Sequence, residues 1–137
     1  MIIWEGPDRS GKDTLRMALD KKTDYTMINV VRGPIGYITY NRIYNKGQDE
    51  KAFIETAKIL EDISYILYIN VPISELTRRI FETNEKLRGN LHIEEHVKMY
   101  ERVIEESVKE WGLKNVFSIS NDRPIFEVID EIYKKFI

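Results

Sequence analysis

Met1-Ile2-Ile3-Trp4-Glu5-Gly6-Pro7-Asp8-Arg9-Ser10-Gly11-Lys12-Asp13-Thr14 is the stretch whose reading decides the fold. Three apolar residues, Ile2, Ile3 and Trp4, run into Gly6, four further residues and Gly11-Lys12, and then Leu15, Ala18 and Leu19 recur at helical spacing. Strand, glycine loop, lysine and helix in that order read as a phosphate-binding loop. Backbone N–H groups curl around an anion, the lysine reaches the β- and γ-phosphates, and the positive end of the helix dipole faces the same charge. Gly6, Ser10, Gly11, Lys12, Asp13 and Thr14 are therefore the predicted nucleotide-binding residues. The residue after the lysine is ordinarily Ser or Thr, whose hydroxyl meets Mg²⁺, but here it is Asp13, with Thr14 one place later. A carboxylate repels bare phosphate, yet with a divalent ion between them it is a harder ligand than a hydroxyl, so Asp13 is the predicted metal ligand. The plainer alternative is a helix-start acid favoured by the dipole.

Working outward, 137 residues suffice for one domain, 1–137, that buries a sizeable core without staples. The chain contains no cysteine, which removes disulfides, thiolate zinc sites and thiol nucleophiles. Met1 runs directly into the first strand and no apolar stretch approaches a membrane span, so the expectation is a cytoplasmic protein without membrane contact. Lysine plus arginine number 21 against 23 acids, a net charge of -2, which argues against a nucleic-acid surface. The expected partner is a nucleotide substrate, with room for a homodimer.

Thr26 to Val31 reads as a second strand, closed by the turn Arg32-Gly33-Pro34. In open parallel sheets ligands bind outside the carboxyl ends of the strands, so Arg32 should share an edge with the phosphate loop. Tyr37, Tyr40 and Tyr44 give the next helix, Gly36 to Lys46, one aromatic face, with Tyr40 placed both to pack and to meet a ligand. A helix from Asp49 to Asp62 precedes an almost wholly apolar run, Ile63 to Val71, the pattern of an interior parallel strand. Pro72 and Ser74 start a helix with Leu76 and Ile80 inward and Arg78 and Arg79 near its middle. Residues 82–90 bury little and carry Lys86, Arg88 and Gly89, so they read as a lid. A long helix, His92 to Trp111, should bury Ile93, Val97, Tyr100, Ile104, Val108 and Trp111. A strand, Val116 to Ile119, and a last helix with Ile125, Ile129, Ile132 and Phe136 inward complete the chain. The predicted fold class is α/β, a doubly wound parallel sheet of four strands with helices on both faces, as in P-loop NTPases. His92-Ile93-Glu94-Glu95-His96 also fits the H-x-x-E-H pattern of one class of zinc hydrolases, but no third ligand is marked out and packing explains the helix.

Glu5-Gly6-x-Asp8-Arg9-x-Gly11-Lys12 resembles the loop of thymidylate kinases, E-G-x-D-x-x-G-K-[ST]-T, within the P-loop nucleoside monophosphate kinases. Val31 to Tyr40 resembles that family's D-R-Y-x-x-S-x-x-A-Y segment, keeping the arginine and the last tyrosine, and Tyr65 to Ile80 followed by a basic lid agrees over a third region. The Gly-Lys-Asp-Thr ending is similar to compact phage deoxynucleotide kinases. The resemblance implies ATP and Mg²⁺, and transfer to a (deoxy)nucleoside monophosphate. Asp8 would meet the acceptor's 3′-hydroxyl, Arg32 its phosphate, and Tyr40 the deoxyribose C2′. Arg9, Lys86 and Arg88 would neutralise the moving phosphoryl group, making Lys12, Arg9, Arg32 and Arg88 the catalytic set. Two departures stand out. Val31 replaces a carboxylate that organises Mg²⁺, and no counterpart of the segment bearing base-stacking residues is evident.

The chemistry stands without the family. Phosphoryl transfer needs positioning and cations, here Lys12, Arg9, Arg32, Arg88 and Arg79, more than covalent help. A monophosphate acceptor is already anionic, whereas a nucleoside's 5′-hydroxyl wants a carboxylate base, for which Glu5 and Asp8 are the candidates. The alternatives are therefore a deoxynucleoside kinase and a non-catalytic nucleotide-binding P-loop domain.

Overall fold

Alternation along β1, Ile2–Glu5, divides the molecule: Ile2 and Trp4 point to one face of the sheet, Ile3 to the other, and all three are buried. In the computed structural model, which describes residues 1–82 and 93–137, β1 pairs with β2, Asn29–Val31, and with β3, Tyr65–Asn70. β3 also pairs with β4, Val116–Ser120. The sheet has the order β2-β1-β3-β4, and every pairing is parallel, as the sequence predicts.

Ile2, Trp4, Leu67, Ile69 and Ile119 pack against Leu15 and Leu19 of α1, Lys12–Lys22, and against Val128, Ile129 and Ile132 of α6, Ile125–Phe136. On the opposite face Ile3, Ile66 and Tyr68 meet Ile35, Ile38 and Tyr40 of α2, Pro34–Tyr44, with Ala57 of α3, Glu50–Leu60. Tyr100 and Val103 of α5, Ile93–Lys109, close that layer. Each fully buried aliphatic side chain contributes about 1.5–3 kcal/mol, so two filled faces hold the strand ends rigidly in register. A smaller cluster, Val71, Leu76 and Val97, seats α4, Ile73–Glu82, against α5.

Four details depart from expectation. β2 is three residues long rather than six, because it is an edge strand with one partner; Ile28 precedes it, 68% exposed. β3 starts at Tyr65, since Glu61–Ile63 forms a 3₁₀ turn that leaves Ile63 exposed. The inward stripe of α5 runs His96, Val97, Tyr100, Val103 and Ser107, so Val108, one step around the helix, faces outward. Ile125 opens α6 before the helix meets the sheet and is exposed. The predicted lid, beyond Glu82, lies outside the described residues.

Candidate functional site

The loop after β1 turns through Gly6 at φ 153° and Gly11 at φ 88° and delivers Lys12 as the first residue of α1. Lys12 folds back across the loop, its Nζ donating to the Gly6 carbonyl at 2.9 Å, and only 7% of it is exposed. Burial pulls its pKa down, opposed by the charge of Asp8. Ser10 is fully buried and its Oγ has no partner, while Asp13 and Thr14 are exposed in the first helical turn, where the backbone N–H groups are free. Arg9 holds φ 68°, a left-handed conformation that costs a side-chain-bearing residue about 1–3 kcal/mol and belongs to over-determined loops.

What over-determines this loop was invisible in the sequence. Asn121, just past β4, donates its Nδ2 to the Ser10 carbonyl at 2.7 Å, and its own N–H is tied to the Asn70 carbonyl at 2.9 Å. Arg79 of α4 donates to the Arg9 carbonyl at 3.0 Å and to the Asn121 carbonyl at 2.7 Å. Arg79, counted from the sequence among the cations for phosphoryl transfer, is thus engaged in bracing the loop. A Cβ at Gly11 would meet Asn121 Nδ2 at 2.5 Å, so glycine is demanded there twice, by φ and by close approach.

Arg32 leaves β2 on the same sheet edge, also left-handed at φ 68°, with its N–H donating to the Trp4 carbonyl at 2.8 Å. Its guanidinium lies over the Tyr40 ring, 4.1 Å from the centroid, and its buried Nε has no partner. Burial, with Asp8's charge adding, pushes the Tyr40 phenol up to about 12, so Asp8, exposed on the loop, is felt by both Lys12 and Tyr40. Beside Arg32 opens a cavity of about 280 Å³ lined by Arg32, Tyr37, Tyr40, Lys46, Gln48 and Phe53. Asn41 shapes its rim, donating to the Gln48 carbonyl at 3.1 Å and accepting from the Gln48 N–H at 2.9 Å. Tyr37 and Phe53, ring centroids 5.6 Å apart, therefore put aromatic surface between the second and third strands, where the sequence showed no counterpart of a base-stacking segment.

No family model and no curated protein matches the chain. A solved structure does: the YorR protein from Bacillus subtilis, in complex with phosphorylated GDP, is similar with a TM-score of 0.73 and 14% identity, over 97% of this chain and 93% of that one. The shared property is the fold.

Glu5 sits between the glycine loop and the Arg32 turn, and sequence reasoning undervalued it. It is 1% exposed, one carboxylate oxygen accepts the Gly33 N–H, and the other, Oε2, lies buried against Gly36, so the carboxyl caps the start of α2. Burial raises its pKa to about 8. It lies beneath the surface, away from where a hydroxyl acceptor would enter from solvent, whereas Asp8 is exposed on the loop. Of the remaining predicted site residues, Arg88, like Lys86, lies outside the described residues. So does His92; His96 is buried edge-on to Tyr40 and Tyr44, its Nε2 3.2 Å from the Tyr44 hydroxyl. Among the described residues no group of three His, Cys, Asp or Glu is placed to hold a metal, and no helix is long and apolar enough to cross a membrane.

Proposed function

We propose that the chain transfers the γ-phosphoryl group of ATP to a nucleoside monophosphate, in the manner of the thymidylate kinases its loop resembles. The observation that carries this reading is the placement of two cations at the ends of adjacent parallel strands: Lys12 over a glycine-turned loop and Arg32 over a cavity with an aromatic wall. The nucleotide in the similarly folded YorR structure supports it. In this reading Gly6, Ser10, Gly11 and Thr14 hold the donor phosphates, Lys12 and Arg9 offset charge on the moving group, and Arg32 grips the acceptor phosphate bidentately. An oxygen of the acceptor phosphate attacks the γ-phosphorus, the bond to the β-bridging oxygen breaks, and ADP leaves; no proton need be removed. Asp13 would hold Mg²⁺, which needs only one or two carboxylates beside phosphate oxygens and supplies charge neutralisation between the β- and γ-phosphates.

The burial of Glu5, turned to the Gly33 N–H, favours a monophosphate over a 5′-hydroxyl, since of the two candidate carboxylate bases it leaves only the exposed Asp8 open to an acceptor. A coupled assay of ADP release from ATP against a panel of nucleosides and nucleoside monophosphates tests the reading. Turnover with monophosphates is expected; turnover with nucleosides alone makes the chain a nucleoside kinase, and nucleotide binding without turnover makes it a binding domain.

A further inference from the structure

We propose that Lys46 sorts the acceptor's base by its exocyclic group, favouring bases that present a carbonyl oxygen over bases that present an amino group, whatever their ring size. The inference rests on the monophosphate reading above and deepens it. The cavity beside Arg32 is lined by two cations that flank α2 in the chain. Arg32 precedes the helix and Lys46 follows it, and the helix between them is about 16 Å long at 1.5 Å per residue. Arg32 shares the sheet edge with the phosphate loop, so the acceptor phosphate belongs at its end. The base then extends toward Lys46, against the aromatic surface of Tyr37 and Phe53.

The segment that carries Lys46 is built for this. Asn45 and Gly47 hold left-handed φ of 49° and 69°, and the Lys46 N–H donates to the Asn41 carbonyl at 3.1 Å. The Asn41 side chain, 7% exposed, gives both its amide groups to the backbone of Gln48, at 3.1 and 2.9 Å. The acids next in sequence are turned elsewhere: Asp49 accepts from the Lys51 N–H at 3.0 Å and Glu50 from Arg42 at 2.9 Å. Among the described residues no carboxylate lines the cavity, so nothing there competes for the Lys46 ammonium.

The lining groups differ in what they can tell apart. The Gln48 amide and the Tyr37 phenol each donate and accept, and so meet a carbonyl or an amino group alike. An ammonium only donates. Against O4 of uracil or thymine, or O6 of guanine or hypoxanthine, Lys46 makes a charge-assisted hydrogen bond; against N4 of cytosine or N6 of adenine two donors meet and neither is satisfied. Ring size does not enter, because Lys46 and Gln48 are exposed and leave that end of the cavity open. The same exposure sets the scale: solvent screens the contact, so the preference is about tenfold rather than the roughly 10⁴-fold of a closed polar site.

Steady-state kcat/KM with ATP and two matched pairs, dUMP against dCMP and dIMP against dAMP, reads the sorting directly, each pair sharing a ring and exchanging a carbonyl for an amino group. Wild type should prefer dUMP and dIMP by about tenfold. Lys46→Met should level both pairs. Lys46→Glu, whose carboxylate accepts from an amino group, should invert them toward dCMP and dAMP, a reversal that damage to the fold cannot produce. Equal use of both members of each pair by wild type overturns the inference, as does a preference that survives in Lys46→Glu. A uniform loss across all four substrates in Lys46→Glu makes Lys46 a phosphate contact and overturns it too. Turnover of none of the four by wild type overturns the monophosphate reading together with the inference, whereas turnover of all four alike overturns the inference alone.

Discussion

The phosphate loop and the Arg32 turn sit side by side on one sheet edge, and both hold an arginine at φ 68°, yet they are finished differently. In the loop, the polar groups are mostly tied to backbone: Lys12 to Gly6, Asn121 to Ser10, Arg79 to Arg9. Around Arg32 fewer polar atoms are tied to backbone: its Nε is buried without a partner beside a cavity, and the Tyr40 hydroxyl turns toward that of Tyr100. An unsatisfied buried polar group costs about 1–3 kcal/mol, and a structure carries several together where a ligand or ordered water completes them. The difference teaches that the glycine loop is preorganised by the fold, whereas the Arg32 turn leaves room beside it for a ligand or ordered water.

Lys12→Ala should break the donor half outright. Its buried ammonium lies across the loop, where the exposed edge of the loop cannot replace it, so turnover should fall about 10³-fold, roughly 4 kcal/mol, with circular dichroism unchanged. Retention of most activity would remove the phosphate-loop reading altogether. Arg32→Ala attacks the other half: acceptor KM should rise about 10²-fold, the scale of a bidentate charged contact, with little change for ATP. Equal effects on the two substrates would dissolve the division into halves.

A pair of added methyl groups sharpens the contrast. Gly11→Ala strains φ 88° and collides with Asn121, and should weaken ATP binding about tenfold. Gly36→Ala sits in regular helix and instead fills the hollow shared by Arg32, Glu5 and Tyr100, so its loss of about tenfold should appear in acceptor affinity. Calorimetry with each substrate separately reads both; crossed effects would show the two sites to be one. The smallest effect is expected at Asp13, which is exposed in the first turn of α1. Asp13→Ser should flatten the Mg²⁺ dependence of ATP affinity by a few-fold, metal-free ATP binding better while metal-dependent turnover declines. Superimposable Mg²⁺ titrations would leave Asp13 as a helix-start acid.

The four parallel strands, the helices on both faces, the phosphate loop and the neighbourhood of Arg32 were all legible in the sequence. Each depends on local spacing: two-residue alternation in a strand, a 3.6-residue stripe in a helix, glycines where φ turns positive. What the sequence could not supply is what joins segments far apart in the chain. Asn121 reaches the Ser10 carbonyl across 111 residues, and Arg79 reaches Arg9 across 70, and nothing in the local pattern around Asn121 or Arg79 marks either as a loop brace. Nor could residue type alone tell that Glu5 would be a buried acid with its pKa raised by burial, since a carboxyl's surroundings are set by the groups folded around it. Spacing determined which elements form and which edge carries the site; only the tertiary structure, by burying one carboxyl and aiming distant side chains at backbone carbonyls, decided how the two halves of that edge are held.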